Sequence, residues 1–244
     1  MNKITIIGIM IVCGNIVIAA DLPIIAHWSF DEDQGTTVLK DSSVNKLDVP
    51  LNPADTGEKV KTVKGVIGQA LELTGKEKAF FRITNEKLNL KVPFSIACWV
   101  NIKNKKQENN SILCNAWDTD TKGFRIFVFW CMFSCRWGDG SKMNSISTKY
   151  GGILTDRWYH LTVTNDGKTV KLYVNGSLDK SIEGDNLQPA ANNVNCGIGN
   201  YFGTNNYRFI GLMDELYIFG KALNDDEVFE LAAKQEEPKP PKAK

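Results

Sequence analysis

The sequence has few of the residues on which catalysis and nucleic-acid binding depend. Its 244 residues include two histidines, His27 and His160, and no Gly-x-Ser-x-Gly motif, so a serine nucleophile with a histidine base is not indicated. The 29 basic and 28 acidic residues give a formal net charge of +1, with no basic run. This charge pattern gives no reason to expect nucleic acid or an anionic membrane surface as a partner.

Cysteines are also few, and their spacing does not favour a metal. No Cys-x-x-Cys and no nearby histidine supports zinc. Five of the six cysteines follow residue 20, and an odd number in an exported chain leaves at least one thiol free or paired with another molecule. Cys131 and Cys135 can form a disulfide if the chain turns tightly between them. On one straight strand their Cα atoms would be ~13 Å apart, and a disulfide tolerates less than ~7 Å.

The first 20 residues, MNKITIIGIMIVCGNIVIAA, combine one lysine with an apolar stretch and end in small residues before Asp21. This pattern predicts a secretory signal peptide over residues 1–20. The alternative is a membrane anchor, but Gly14 and Asn15 interrupt the ~20 clean apolar residues that a spanning helix needs. We therefore expect an exported protein, periplasmic, on the cell surface or extracellular, without stable membrane insertion once the signal is removed.

Most of the remaining sequence alternates with a period of two, which is typical of β-strands that bury one face. The segment FSIACWVNI places five residues on one face: Phe94, Ile96, Cys98, Val100 and Ile102. SILCNAW and GFRIFVFW predict a hairpin joined through residues 118–122, and short strands with turn signals continue to about residue 220. The pattern predicts one all-β domain over residues 21–235, a two-sheet β-sandwich or jelly roll.

One helix is predicted, close to the C-terminus. In LNDDEVFELAAKQEE, Asn224 and Glu227 have the spacing of a capping box, in which each side chain bonds the backbone N–H of the other residue. The segment PKPPKAK that follows offers nothing apolar to bury. It predicts a disordered Pro/Lys tail over residues 236–244.

The segment RWYHLTVTNDGKTVKLYVNG, residues 157–176, predicts a hairpin that contains His160. If Asp166 and Gly167 form a two-residue turn, His160 faces Tyr173. The apolar face then consists of Tyr159, Leu161, Val163, Val170, Leu172 and Val174. No nucleophile or acid pair converges on His160 in the sequence, so packing is favoured over catalysis. His27, also beside a tryptophan, has the same interpretation.

Five segments in this order resemble the LamG-like jelly roll of the concanavalin A-like lectin/glucanase superfamily: IIAHWSFDEDQGTTVLKDSS, GVIGQALELTG, FSIACWV, RWYHLTVTNDGKTVKLYVNG and FIGLMDELYIFGKALNDDEV. The resemblance covers about residues 25–233. It implies a concanavalin A-like jelly-roll sandwich with one short C-terminal helix. It implies less about function, since this fold hosts binding modules, adhesive domains and enzymes.

Enzymes of this superfamily carry catalytic acids on alternate positions of one strand, as Glu-x-Asp-x-x-Glu or a close relative. The nearest match is Glu183-Gly-Asp185, which lacks the third acid and has the composition of a loop. Glycosidases need two carboxylates at a fixed separation. We therefore predict no catalytic activity, and a degenerate glycoside hydrolase that uses Glu183 and Asp185 is the least favoured alternative.

The resemblance also implies a structural Ca²⁺, an ion that takes roughly 6–8 oxygen ligands. In GLMDELYIF, alternation places Asp214 with Leu216 and Ile218 on an apolar face. A carboxylate buried there has to be paired, hydrogen-bonded or metal-bound. Asp41, in the Asp-Ser-Ser segment, is the second candidate ligand. The alternative, equally open, is that Asp214 accepts backbone N–H bonds from a neighbouring loop. No other cofactor is predicted.

Sugar binding needs exposed aromatic faces beside polar groups that bond hydroxyls. The candidates are Trp117, Trp130, Trp137, Tyr173, Asn175 and Asn115. Packing in the core or at a strand edge is the open alternative for each tryptophan. A ligand site is expected on the concave face or on loops at one end of the sandwich.

Together these features predict an exported, non-catalytic binding module, carbohydrate-binding or adhesive, whose partner is a glycan or a glycan-bearing surface. The alternative is a structural or protein–protein interaction domain that binds no glycan. The sequence leaves the oligomeric state open.

Overall fold

The computed structural model describes residues 22–50, 61–75, 81–104, 109–116, 121–192, 196–200 and 207–234. The predicted signal peptide, residues 1–20, and the predicted tail, residues 236–244, lie outside these ranges, as does Trp117. The described part of the chain forms sixteen β-strands and one α-helix, α1 (Asp225–Ala233). The predominance of strands confirms the all-β prediction.

Eight strands form the larger sheet. They are β1 (Ile24–Trp28), β4 (Thr62–Lys64), β5 (Gln69–Leu73), β7 (Phe94–Ile102), β12 (Trp158–Asn165), β13 (Thr169–Val174), β14 (Ser177–Glu183) and β16 (Gly211–Phe219). Their order is β14-β13-β12-β7-β16-β5-β4, and β1 also pairs with β16. All of these pairs are antiparallel. The longest strands, β7 and β16, lie side by side near the centre.

Six strands form the smaller sheet. They are β6 (Phe81–Ile83), β8 (Asn110–Cys114), β9 (Phe124–Phe129), β10 (Met132–Gly138), β11 (Met143–Ser147) and β15 (Cys196–Ile198), in the order β11-β10-β9-β8-β15-β6. The antiparallel pair of β8 and β9 confirms the hairpin predicted from SILCNAW and GFRIFVFW. The short strands β2 (Val38–Leu39) and β3 (Val49–Pro50) form a separate pair.

The inner faces of the two sheets enclose one hydrophobic core. Alternation buries one whole face of β7 in it, as predicted: Phe94, Ile96, Cys98, Val100 and Ile102. The smaller sheet contributes Ile126 and Phe133 to the same cluster. Burying a large apolar side chain stabilises a fold by about 1.5–3 kcal/mol. This shared core confirms the predicted two-sheet sandwich.

The hairpin of β12 and β13 keeps the predicted faces, but the predicted pairing is wrong. Thr162 faces Tyr173, where the sequence places His160, so each partner is displaced by two residues. Because side chains alternate, an even displacement leaves the apolar face intact. The residue beside His160 on the neighbouring strand β7 is Trp99.

The turn of this hairpin explains the displacement. The Asp166 carboxylate accepts the backbone N–H groups of Lys168 (2.8 Å) and Thr169 (2.7 Å). The chain therefore reverses at Gly167 and Lys168, one residue later than predicted. Gly167 has a φ of 94°, a left-handed conformation that glycine adopts without steric cost.

Helix α1 begins with the predicted capping box. Asn224 Oδ1 accepts the Glu227 N–H (2.8 Å), and Glu227 Oε2 accepts the Asn224 N–H (2.9 Å). These bonds satisfy two groups that a helix start leaves open. The helix packs Val228 and Leu231 against a second cluster that contains Tyr173, on the outside of the larger sheet.

The cysteines are free, so the disulfide considered for Cys131 and Cys135 is not formed. All five cysteines after residue 20 are buried thiols. The chain turns at Trp130 and Cys131 and then runs along β10, and a straight strand separates Cys131 from Cys135 too far for a bridge. Burial raises the pKa of the Cys135 thiol to about 12, so this thiol stays protonated and inert.

Candidate functional site

Three of the predicted ligand-binding residues pack inside the protein. Trp137 lies in the core and is 1% exposed. Tyr173, also 1% exposed, lies under α1, and its hydroxyl donates to Asp225 Oδ1 (2.8 Å). The buried Asn115 donates through Nδ2 to Leu88 O (3.1 Å). These side chains are engaged in packing and hydrogen bonding within the fold.

Trp130 and Asn175 remain exposed. Trp130, 55% exposed, lies at the turn between β9 and β10, with its ring centroid 5.4 Å from that of Phe129. Asn175 lies in the turn between β13 and β14 with a φ of 50°, and its Oδ1 accepts the His160 N–H (2.9 Å). Asn175 lines a groove whose described lining does not include Trp130, so the structure does not bring the two residues together in that site.

Asn175 lines an open groove on the outside of the larger sheet, with a volume of about 570 Å³. The other lining residues are Lys64, Gly65, Val66, Trp99, Trp158 and Ala232. Trp158 is partly exposed, and Trp99 behind it is 6% exposed. Sequence reasoning missed both tryptophans as site residues, although alternation places them on the outward faces of β12 and β7. Two indole rings with an amide and an ammonium group are components of a saccharide site.

His160 packs behind Trp99, on the side away from the groove. The two rings meet edge to face, with centroids 5.1 Å apart, and His160 is 2% exposed. Burial disfavours the charged imidazolium and lowers the pKa of His160 to about 3. The neutral, covered ring supports Trp99 and is not placed to act on a substrate, in agreement with the packing interpretation.

Asp214 holds the turn at one side of the groove. Its Oδ2 accepts the N–H groups of Val66 (2.7 Å) and Ile67 (3.0 Å). A Cβ added to Gly65 would lie 2.4 Å from the same oxygen. Burial, with a smaller contribution from the negative charge of Glu215, raises the pKa of Asp214 to about 7. Of the two interpretations of this carboxylate, the hydrogen bonds to a neighbouring loop are the one that the structure contains.

The predicted orientation of Asp214 is wrong. Asp214 lies beside Trp99 on the outer face, whereas Leu216 lies in the core. A bulge between Asp214 and Tyr217 shifts the register, and Glu215 has a positive φ of 52° there. An extra residue in a strand reverses the alternation beyond it, so Asp214 and Leu216 point to opposite faces.

The two candidate calcium ligands do not share a site. The Asp41 carboxylate accepts four hydrogen bonds, from His27 N, Ser43 N, Ser43 Oγ and Leu47 N, at 2.7–2.9 Å. Asp214 bonds a different loop. Within the described ranges, no group of three or more His, Cys, Asp or Glu side chains could hold a metal ion. Both Asp41 oxygens accept two bonds each, so they do not fit Ca²⁺, which needs their lone pairs. Asp214 Oδ1 has no hydrogen-bond partner, but one carboxylate without further acidic ligands does not supply the roughly 6–8 oxygens that the ion takes.

His27 lies at the centre of a hydrogen-bonded series of side chains that the sequence does not reveal. Nδ1 lies 2.6 Å from Ser42 Oγ, and Nε2 lies 2.9 Å from Glu215 Oε2. Hydroxyl, imidazole and carboxylate follow one another as they do in a nucleophilic triad. However, the Ser42 N–H donates to His27 O and the Ser43 N–H to Asp41 Oδ1, so neither adjacent amide is available to stabilise an oxyanion. These side-chain hydrogen bonds instead connect the loop after β2 to strands β1 and β16.

Glu183 and Asp185, the acids of the hydrolase alternative, are both exposed. Glu183 ends the edge strand β14, and Asp185 lies in the loop after it. Neither residue lines the groove. The structure therefore does not place them on the rigid, enclosed element that glycoside hydrolysis needs.

Two antiparallel sheets around one core, with one short helix on the outside of the larger sheet, define a jelly-roll sandwich. The chain belongs to the Laminin_G_3 family of the concanavalin A-like lectin/glucanases superfamily, whose sequence profile matches residues 75–229. This confirms the family that the five sequence segments resemble. No curated protein matches the sequence.

Several solved binding domains have the same fold. Domain 4 of AbnA, a GH43 extracellular arabinanase from Geobacillus stearothermophilus solved in complex with arabinotriose, is 24% identical with a TM-score of 0.65, covering 86% of this chain and 98% of that one. The binding domain of Paraclostridial Mosquitocidal Protein 1 is 23% identical with a TM-score of 0.63, covering 83% of this chain and 52% of that one.

The receptor binding domain of botulinum neurotoxin type G is 20% identical with a TM-score of 0.62, covering 86% of this chain and 51% of that one. The chain thus spans about half the length of the two toxin domains. These similarities establish the shared fold. In the described part of the chain, no helix has the length and apolar character needed to cross a membrane.

Proposed function

We propose that this chain is an exported, non-catalytic module that binds a carbohydrate in the groove between Trp99 and Trp158. The observation that carries the proposal is the convergence of these two indole rings with Asn175 and Lys64 at one open groove. A sugar ring stacks its C–H face on an indole, while its hydroxyls bond amide and ammonium groups.

The groove is supported by a rigid surrounding structure, which lowers the entropic cost of binding. His160 packs against Trp99, and its N–H bonds Asn175 Oδ1. Because that oxygen is engaged, the amide nitrogen of the exposed Asn175 is the group that a sugar hydroxyl would meet. A second open groove, of about 840 Å³, has no aromatic residue among its described lining, so it is a weaker candidate for stacking.

The comparisons support a binding role. The arabinanase domain with this fold was solved with arabinotriose, and the toxin matches are binding domains. Export is supported by the signal peptide predicted over residues 1–20. The non-catalytic character is supported by the engaged amides around Ser42 and by the exposed positions of Glu183 and Asp185.

A glycan array tests the proposal. We expect the native chain to bind at least one glycan and Trp158→Ala to weaken that binding about tenfold or more, because the stacking surface is lost. Trp130→Ala removes an exposed tryptophan from the other sheet and should leave the affinity within about twofold. Absence of binding to any glycan, with and without Ca²⁺, would overturn the proposal, and an equal loss in both variants would exclude the groove as its site.

A further inference from the structure

Phe229, on helix α1, is a large aromatic residue that the fold leaves uncovered. It is 58% exposed, whereas Val228 and Leu231 of the same helix pack in the cluster on the larger sheet. Single exposed apolar residues are common on protein surfaces, so exposure alone indicates no site. What makes Phe229 relevant to binding is its position beside the groove between Trp99 and Trp158.

The helix and a neighbouring turn both place Phe229 next to the groove. Residues three apart on a helix are neighbours on its surface, and Ala232, three residues after Phe229, lines the groove. Phe229 also contacts the turn between β13 and β14, because a Cβ added to Gly176 would lie 3.1 Å from Phe229 Cα and 3.4 Å from its Cδ2. Gly176 follows Asn175, which lines the groove. The ring of Phe229 therefore borders the groove.

The contact between α1 and this turn is close because Gly176 has no side chain. Its φ of 80° is a left-handed conformation that glycine adopts without steric cost. An added Cβ would also lie 3.3 Å from the Cβ of Ala232. The helix is thus held against the turn, and Phe229 is presented on a rigid element, which lowers the entropic cost of binding.

The charges near the groove do not favour an anionic ligand. Among the described lining residues, Lys64 is the one with a charged side chain. The buried Asp214 carboxylate lies behind the turn that forms this side of the groove, where it accepts the N–H groups of Val66 and Ile67. Burial raises the pKa of Asp214 to about 7, so this group is partly ionised near neutral pH and offsets part of the positive charge.

We propose that the ligand is an internal section of a neutral, linear polysaccharide, with one sugar ring on Trp158 and a further ring of the same chain stacked on Phe229. This inference rests on the proposed function and names the class of its ligand. The groove has a volume of about 570 Å³ and is open, so a chain can continue beyond it, whereas an enclosed pocket would select a chain end. An aromatic face beside the groove provides the stacking surface for the next ring.

Oligosaccharide series of increasing length test the proposal on the full chain. The probes are glucose, mannose, galactose, xylose and arabinose, each as the single sugar and as its linear di-, tri- and tetrasaccharide, titrated by calorimetry. We expect at least one series to gain about fivefold or more in affinity from the single sugar to the tetrasaccharide. Phe229→Ala should abolish this gain and leave the affinity for the single sugar within about twofold, whereas Trp158→Ala should weaken the binding of every length.

Conservative variants distinguish stacking from general apolar contact. Phe229→Trp should keep the gain with length, because it retains a flat aromatic face, and Phe229→Leu should lose it, because leucine has no such face. The matched control is Tyr150→Ala, which removes an aromatic residue that is 72% exposed in the loop after β11. This control should leave every affinity within about twofold. Because Phe229 is mostly exposed, the thermal unfolding midpoint of Phe229→Ala should stay within about 2 °C of the native value.

The outcomes separate this inference from the proposed function. Equal affinities for the single sugar and the tetrasaccharide, or equal losses in Phe229→Ala and Tyr150→Ala, would overturn the second ring and leave a carbohydrate-binding groove. Binding to acidic glycans alone on the array would overturn the neutral class in the same way. Absence of binding to any glycan would overturn both proposals.

Discussion

The two sheets share one core but present different chemistry on the outside. The strands of the larger sheet contain five acids, Glu72, Asp179, Glu183, Asp214 and Glu215, and three lysines, Lys64, Lys171 and Lys180. Those of the smaller sheet contain three arginines and no acid. A net charge of +1 sums over the whole chain and conceals this contrast. Charge therefore indicates a partner only when it is assigned to a face.

The outer faces also differ in how they are covered. Helix α1 closes one part of the larger sheet over Tyr173, and the groove opens beside its last turn, at Ala232. On the smaller sheet, aromatic rings lie among the arginines, with Phe127 beside two of them. The same outward alternation thus produces a packed surface, an aromatic groove and a row of arginines, depending on which residues occupy it.

The largest effect on stability is expected at the turn after β4, which Asp214 hydrogen-bonds at one side of the groove. A Cβ at Gly65 would lie 2.4 Å from Asp214 Oδ2 and 2.8 Å from the carbonyl carbon of Gln69, so the turn would have to move. We expect Gly65→Ala to lower the free energy of unfolding by about 3 kcal/mol, measured by urea denaturation. It should also weaken binding in the groove.

Gly152→Ala is the control for this substitution, because the nearest atom to its added Cβ is 3.4 Å away. We expect a change of less than about 1 kcal/mol there. Similar stability of the two variants would show that the Asp214 turn adapts and does not define the groove.

The next effect is on the pH dependence of stability, in which Asp214 and His160 oppose each other. Asp214 is protonated below about pH 7 in the folded chain but only below about 3.8 when unfolded, so its contribution to stability rises as the pH falls between these values. His160 is protonated below about 6.5 when unfolded but only below about 3 when folded. The contribution of His160 to stability is therefore lost as the pH falls from about 6.5 to 3. Between about pH 6.5 and 4 this loss cancels the gain from Asp214.

Substitution of either residue should reveal the contribution of the other. Asp214→Asn should make stability fall on acidification from about pH 6.5 to 4, and His160→Gln should make it rise, each by on the order of 1 kcal/mol per pH unit. Urea unfolding at a series of pH values measures both slopes. Slopes of the same sign in the two variants would contradict the expectation that Asp214 and His160 have opposite effects on the pH dependence of stability.

The features that could be predicted from the sequence are those set by local rules. The alternation of side chains along a strand identifies the buried face of β7 without reference to its neighbouring strands. The capping box needs only Asn224 and Glu227, three residues apart. The two errors in strand register arise where a single residue shifts the pairing. The turn at Gly167 and Lys168 moves the β12–β13 pairing, and the bulge at Glu215 reverses alternation in β16. Neither change alters the apolar pattern around it.

The candidate site was harder to predict because it depends on which strands are neighbours. The groove joins β7, β12, the turn after β4 and the end of α1, elements that lie far apart in the sequence. Arg125 and Arg136 belong to one hairpin, but their direct opposition depends on a turn at Trp130 and Cys131, both with positive φ. Residues with side chains are rare in that conformation, so the sequence alone does not indicate this turn.

The smallest effect is expected at the start of α1, and it tests whether the two outer faces respond independently. Asn224→Ala removes the cap and should lower the free energy of unfolding by about 1 kcal/mol, whereas Glu230→Ala, at an exposed position of the same helix, should change it by less than about 0.5 kcal/mol. Hydrogen exchange should then become faster in α1 and in β13, which the helix covers. Because the described residues that α1 packs against belong to the larger sheet and the segments beside it, β9 and β10 should keep their protection. A similar acceleration in both sheets would contradict this independence and show that the two outer faces are coupled through the core.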